Sequence, residues 1–500
     1  MAAKVRERQL QEKLDVIRKS RNVSAKVVEK LDQLIRQGAD LEVFRINPVR
    51  FASDQGLIEH ETIDAFLHGV RQGLFQMEWN LVCPTCGDSV DTFRSLGKVT
   101  SHFHCALCTR DADAALDDYI QVTFTISPEI REIAFHKPET LNIEDFHFKY
   151  HFSRTASLPG GLRFVDALPG VTKGQSWLGP GQKKRFDVEV SAGSLTLNDL
   201  LHHQSGTVAI KGTPVSSPQS LTARLEPGKL VLERSEVAPG KVLVLVENRT
   251  DTRASMLVLN PPPELEKVPL AFESLLTGRR LISTQTFREL FSSEVIPATQ
   301  GLGVRDITIL FTDLKGSTAL YDRIGDLKAF SLVHQHFDRL SRVIAENSGA
   351  FIKTIGDAVM ASFLNPVDAV KAAREMNREI TRFNRAFTRR DVILKIGIHK
   401  GPCIAVTLND RLDYFGQTVN IAARVQGLAG ADEIWVTGEV LGYPGVRALL
   451  KGCRLFGGKA RLKGLTEQTP VYKIVAAGEP SNGSAPLRAS AARAASKPAP

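Results

Sequence analysis

Residues 351–363, FIKTIGDAVMASF, constrain the fold more than any other stretch of this chain. Apolar residues flank a Gly–Asp pair, the pattern of two strands joined by a tight turn at Gly356–Asp357. The only charges in the run are Lys353 and Asp357. Burying a lone charge costs several kcal/mol unless a partner or an ion compensates it. Asp357 is therefore either a turn former beside Gly356 on a surface hairpin or a carboxylate with a partner elsewhere in the chain.

The 500 residues are enough for roughly three domains. A hydrophobic content of 43% allows sizeable cores. No apolar run reaches the ~18 residues that span a bilayer, and the first twenty residues carry charge throughout, unlike a secretory signal. The expectation is a soluble, cytoplasmic protein. A net charge of +9 suits a polyanionic small molecule and would also suit a nucleic-acid contact. Six cysteines in this length do not form a disulfide scaffold.

Five segments are expected. Residues 1–117 open with helices, on the spacing of Leu10, Leu14 and Ile17 and of Val27, Leu31, Leu34 and Ile35, and end in a cysteine cluster. Residues 118–260 carry short strands (YIQVTFTI, RFDVEVS, GTVAIKG, GKLVLE, GKVLVLVEN) broken by Gly, Pro and Asn, which predicts a β-sandwich. Residues 261–303 read as helical linker after NPPPELEK. In residues 304–476 strands alternate with amphipathic helices, predicting an α/β or α+β domain. Residues 477–500 lack aromatics and nearly all large aliphatics, and are expected to be disordered.

The cysteine cluster is CPTCG at 83–87 and CALC at 105–108. Two C-x2-C knuckles can close a tetrahedral thiolate site, so Cys83, Cys86, Cys105 and Cys108 are expected to hold one structural Zn2+ per chain. His102 and His104 are alternative ligands. The residues between the knuckles are not densely basic, so nucleic-acid binding is not expected here.

ITILFTDLKGSTAL at 307–320 reads as a buried strand ending in Asp313, followed by a turn and a helix. A carboxylate at a strand end before a turn rich in N–H groups suits a metal–phosphate site. If the 351–363 strands flank this one, Asp313 and Asp357 face each other, as a two-metal site requires. Further on, Asn420 and Arg424 lie four residues apart on one helix face, which is either catalytic or simply solvated. Lys463 could reach a phosphate or sit in solvent.

In order and spacing, FTDLKGST, IKTIGDAVMA, GIHKGPCIA and DYFGQTVNIAARV resemble the catalytic domain of class III nucleotidyl cyclases. Residues 1–300 are similar to an uncharacterised N-terminal module of some bacterial cyclases. The resemblance implies a ferredoxin-like βαββαβ palm that works as a homodimer with two composite sites. It implies conversion of ATP or GTP to the 3′,5′-cyclic nucleotide and pyrophosphate, with two Mg2+ or Mn2+ per site on Asp313 and Asp357. Phe311, Thr312 and Leu314 would lend backbone groups to the phosphates and metal. Lys353 and Asp413 would read the base, Asn420 would orient the ribose, Arg424 would stabilise the transition state and Lys463 would bind phosphate.

The base pair also has a physical rationale. A donor-only lysine meets adenine N1 and an acceptor-only aspartate meets its N6 amino group, whereas guanine reverses both edges. The expected activity is therefore adenylate cyclase, with residues 1–300 as a regulatory region for an unknown ligand or partner. A guanylate cyclase is one alternative. A non-catalytic signalling protein that uses the palm as a dimerisation platform is the other.

Overall fold

The computed structural model describes residues 5–475, apart from 21, 101, 109, 114, 115, 117–119, 266, 267, 298–300, 388 and 466. The tail expected to be disordered lies outside the described residues. Two compact units emerge. One comprises residues 1–281 and 294–302, the other residues 282–293 and 303–500. Among the described residues no helix is long and apolar enough to cross a membrane.

The first unit opens with helices Glu7–Arg18, Ala25–Gln37, Pro48–Asp54 and Glu59–Arg71. Their inward residues follow the helical period: Leu10, Leu14, Ile17, Val27, Leu31 and Ile35 are fully buried. Asn47 caps the third helix by accepting from Val49 N–H at 3.1 Å, with Pro48 in the first turn, where its missing N–H costs nothing.

A three-stranded sheet follows, ordered Ser89–Phe93, Phe75–Val82, Ile120–Ile126. The YIQVTFTI strand therefore pairs with Phe75–Val82 rather than with the later strands. Its seven described residues, Ile120–Ile126, are all buried, so the strand has no solvated face to alternate. Beyond it, a five-stranded and a four-stranded sheet share one core built from Leu195, Leu197, Val208, Val242, Val244 and Met256 among others. Inward and outward residues alternate along Lys183–Val190 as expected for a sheet with one solvated face.

The second unit is built on one eight-stranded sheet. Its element order is strand Leu302–Leu314, helices Ser317–Ile324 and Asp326–Glu346, strands Gly349–Ile355 and Ala358–Phe363, helix Pro366–Asn384 and strand Leu394–Leu408. Within the sheet the order of these strands is 349–355, 358–363, 302–314, 394–408, with antiparallel pairing over the first three. This is the βαββαβ arrangement. Two helices cover the sheet through Leu340, Ile344, Ala373, Met376 and Ile380, which join one core with Leu310, Ala361 and Ile396. Residues 282–293, assigned from the sequence to a linker, belong to this unit. Arg288 donates to Leu412 O at 2.8 Å, Gln285 Oε1 accepts from Phe351 N–H at 2.8 Å, and Ser283 contacts the Tyr414 hydroxyl at 3.2 Å.

Candidate active site and cysteine cluster

The hairpin of residues 349–363 turns at Gly356–Asp357, between the paired residues Ile355 and Ala358. Gly356 has φ +62°, the left-handed backbone that a two-residue hairpin turn demands and glycine supplies most cheaply. The central strand runs antiparallel to Ala358–Phe363 with Thr312 opposite Val359. Continued by one residue, this register sets Asp313 beside the Gly356–Asp357 turn. The two carboxylates expected from the sequence thus come from adjacent strand ends. Asp357 Oδ2 is buried without a hydrogen-bond partner. Asp313 forms an ion pair with Lys395 of the Leu394–Leu408 strand. Phe311, Thr312 and Leu314 are buried, and the Thr312 hydroxyl accepts from Val359 N–H at 3.3 Å.

Lys353 projects from the same hairpin to the carboxylate of Asp413, on the Arg411–Phe415 strand. The Asp413 side chain is 6% exposed and its second oxygen accepts from Tyr414 N–H at 2.8 Å. Each oxygen of this buried carboxylate is thereby satisfied, as a buried charge requires.

Asn420 and Arg424 lie on helix Gln417–Gln426. The helix sits tightly on the Leu394–Leu408 strand, because a Cβ at Gly397 would overlap the backbone of Gln426. Thr418 donates to Pro402 O at 2.5 Å and fixes the other end. The Arg424 guanidinium lies over the turn after Lys463: a Cβ on Gly464 would stand 3.4 Å from its Nη2. Lys463 itself is exposed. The site residues therefore gather into separate groups. Asp313 and Asp357 stand at adjacent strand ends, Lys353 and Asp413 are ion-paired, and Arg424 lies at the 463–464 turn. Among the described residues no hydrogen bond or ion pair links Asp313 or Asp357 to Arg424.

Two contributors were not found from sequence. Lys395 sits in LKIGI, where a lysine reads as an ordinary outward residue of a strand. Arg288 lies in the segment read as linker, although its alternation with Phe287 and Phe291 signals a helix packed on something.

In the first unit the four cysteine sulfurs converge. Cys83 and Cys108 Sγ are 3.6 Å apart, Cys86 and Cys105 Sγ 3.4 Å, and all four lie within 4.8 Å of one another. The first knuckle is a tight loop closed by Gly87 N–H to Cys83 O at 3.0 Å and Cys83 N–H to Asp88 O at 2.8 Å. Hydrogen bonding among the thiols holds Cys83 and Cys108 below the ordinary thiol range and pushes Cys86 and Cys105 above it. Four sulfurs this close can hold a thiophilic ion.

Two family models match the chain, one in each half. The model of the adenylate and guanylate cyclase catalytic domain matches residues 302–454, and that of a family of unknown function, DUF5939, matches residues 7–289. The chain is 29% identical over 190 residues to an adenylate cyclase of Anabaena cylindrica, covering 34% of this chain and 37% of that protein. It is 28% identical over 187 residues to adenylate cyclase 1 of Rhizobium meliloti, covering 34% and 28%. A receptor-type guanylate cyclase of Caenorhabditis elegans is 30% identical over 132 residues, covering 24% and 13%. Among solved structures, the adenylyl cyclase CyaB of P. aeruginosa is similar at 21% identity and a TM-score of 0.31, over 35% of this chain and 96% of that one. The chain matches 37% and 28% of the length of the two adenylate cyclases named first. Through residues 7–289 the chain belongs to the family of unknown function DUF5939, and at residues 302–454 it carries an adenylate and guanylate cyclase catalytic domain.

Proposed function

We propose that the second unit is an adenylate cyclase, converting ATP to 3′,5′-cyclic AMP and pyrophosphate at sites shared by two copies of the chain, with the first unit as its regulatory region. The observation that carries this reading is the meeting of Lys353 with Asp413. An ammonium and a carboxylate side by side present one donor and one acceptor. With Lys353 at the purine N1 position and Asp413 at position 6, that pattern would match adenine N1 and N6 and set donor against guanine N1–H and acceptor against guanine O6, and a mispaired buried edge costs several kcal/mol.

Asp313 and Asp357 fit two divalent cations. Asp357 offers a buried oxygen with no hydrogen bond, and Asp313 a carboxylate that would exchange its Lys395 partner for an ion. Two Mg2+ or Mn2+ ions held by these carboxylates, with the main chain of Leu314, would lower the pKa of the ribose 3′-hydroxyl and neutralise the triphosphate. Backbone groups of Phe311 and Thr312 would bind phosphate oxygens. Asn420 would hold the ribose so that its 3′-oxygen lies in line with the α-phosphorus. The new O3′–P bond forms as the bond to the β-phosphate oxygen breaks and the hydroxyl proton leaves. Arg424 would neutralise charge growing on the α-phosphate oxygens, and Lys463 would bind the departing phosphates.

The grouping of the site residues supports a composite site, in which the aspartates of one copy serve with Lys353, Asp413, Asn420 and Arg424 of the other. The exposed apolar residues Ile404, Leu408 and Phe415 on the strand ribbon of residues 394–415 fit cover by a second copy. In the first unit, the four cysteines would hold one structural Zn2+. The deciding experiment measures cyclic AMP from ATP and cyclic GMP from GTP, with Mn2+, using the full chain. Cyclic AMP should dominate. Absence of both products would reject the enzyme, and dominance of cyclic GMP would reject the base assignment.

A further inference from the structure

A second cluster of metal-ligating side chains lies in the DUF5939 unit, beside the cysteines but separate from them. Ligand atoms of Asp88, His151 and His203 all fall within 4.8 Å of one another. They come from three elements. Asp88 ends the first knuckle, His151 is the last residue of a π-helical turn, Phe146–His151, and His203 lies in the turn before strand Gln204–Ile210. Single π-helical turns are uncommon and concentrate at functional sites. His203 has φ +51°, a left-handed conformation that few residues other than glycine adopt without cost.

The side chains of Asp88 and His151 are 2% and 6% exposed. Asp88 Oδ1 and His151 Nε2 form an ion-pair contact at 2.6 Å, yet neither atom has a partner in hydrogen-bond geometry. Buried polar atoms of this kind are normally satisfied, and leaving them unsatisfied costs on the order of 1–3 kcal/mol each. The imidazole of His203 reaches the same point, so the three groups form a ligand set in which an ion could replace the Asp88–His151 contact. The other oxygen of Asp88 lies 3.5 Å from Cys105 Sγ. A four-thiolate zinc centre keeps a net negative charge, so the carboxylate beside it calls for a positive charge on its other side.

His151 and His203 also line a cavity of about 660 Å³, walled by Arg45, Tyr150, Trp177 and Arg253 among others. An ion on these three groups would be closed on the Asp88 side and open toward the cavity. We propose that Asp88, His151 and His203 form a second metal site, for a divalent first-row transition ion, with coordination positions left open to a ligand from the cavity. Two imidazoles and one carboxylate suit Zn2+, Co2+ or Fe2+ and leave the shell incomplete, unlike the closed four-cysteine set. The inference does not rest on the cyclase reading.

The test is Co2+ titration of the full chain, stripped of metal by chelator, with absorbance read at each addition. The parent chain for this test carries Asp313→Ala and Asp357→Ala, so that the second unit's carboxylates hold no weak-band cobalt. Thiolate-bound cobalt gives intense charge-transfer bands, whereas cobalt on imidazole and carboxylate gives only weak d–d bands. The parent chain should bind two equivalents, one of each kind. His203→Asn keeps a residue that tolerates left-handed backbone while removing the imidazole. It should lose the weak-band equivalent and keep the thiolate one, and His151→Gln should do the same. A parent chain that binds only the thiolate equivalent overturns the proposal without recourse to the histidine variants. A weak-band equivalent retained in His203→Asn overturns it as well.

Discussion

Lys353 and Asp413, sixty residues apart in the chain, meet in an ion pair between two strands of the same sheet. The pair closes on itself, so a purine entering between the two groups would replace one polar contact by two. It must match both partners to recover what it breaks.

From this follows the first prediction. Lys353→Glu combined with Asp413→Cys removes the donor–acceptor order that favours adenine. The ratio of kcat/KM for ATP over GTP should fall by about a hundredfold or more, some 3 kcal/mol. Paired kinetics on the two nucleotides check it, and an unchanged ratio would mean that these residues do not read the base.

The second prediction concerns the carboxylates. Because Asp357 Oδ2 is buried without a hydrogen bond, its removal should not unfold the unit. Asp357→Ala and Asp313→Ala should each lower kcat by about a thousandfold, roughly 4 kcal/mol, with thermal melting little changed. Turnover retained by both at saturating Mn2+ would sink the two-cation assignment.

Co-expression tests the composite site. Asp313→Ala and Arg424→Ala should each be nearly inactive alone. A mixed dimer has one intact site, and about half of randomly paired dimers are mixed, so activity should return to roughly a quarter of wild type. No recovery from demonstrated mixed dimers would place the whole site within one chain.

Gly397 offers a test of packing. A methyl there must push the backbone of Gln426 away, and with it the helix that carries Asn420 and Arg424. We predict that Gly397→Ala costs about 1–3 kcal/mol of stability. It should lower kcat more than it raises KM, read by denaturant melts and steady-state kinetics. Wild-type values of both would show that the helix can shift freely.

The last prediction is a pH effect on stability. Burial lowers both His336 and His399 from 6.5 to about 4. Between those values the unfolded chain binds more protons than the folded one, so stability rises with pH across this window. The second unit should therefore be most stable above about pH 6.5 and lose on the order of 3 kcal/mol per histidine as pH falls toward 4. Replacing both histidines by Gln should flatten this part of the pH profile of melting, and a profile as steep as wild type would reject the assignment.

What the sequence disclosed depended on how local the signal was. The 349–363 hairpin was legible because Gly356 and the flanking apolar runs specify a turn and two strands within fifteen residues. The four cysteines were legible from their spacing. The partner of YIQVTFTI was not, since its described residues are buried on both faces and leave no alternation from which a register with Phe75–Val82 could be read. Lys395 was hidden because a strand lysine has many solvated precedents, and only the fold sets it against Asp313. Asp88, His151 and His203 are spread over 116 positions of sequence, from 88 to 203, and only their three elements bring them together.

The Lys395–Asp313 ion pair bears on the order in which the reactants arrive. A carboxylate whose charge is already balanced is a poor trap for a free hydrated cation, which would have to displace the ammonium without a replacement for it. A nucleoside triphosphate would change this balance. On the proposed reading it would bring its own bound cation to Asp313 and at the same moment offer Lys395 new anionic oxygens. The exchange then leaves every charge paired, so Asp313 would take its cation together with the nucleotide rather than before it.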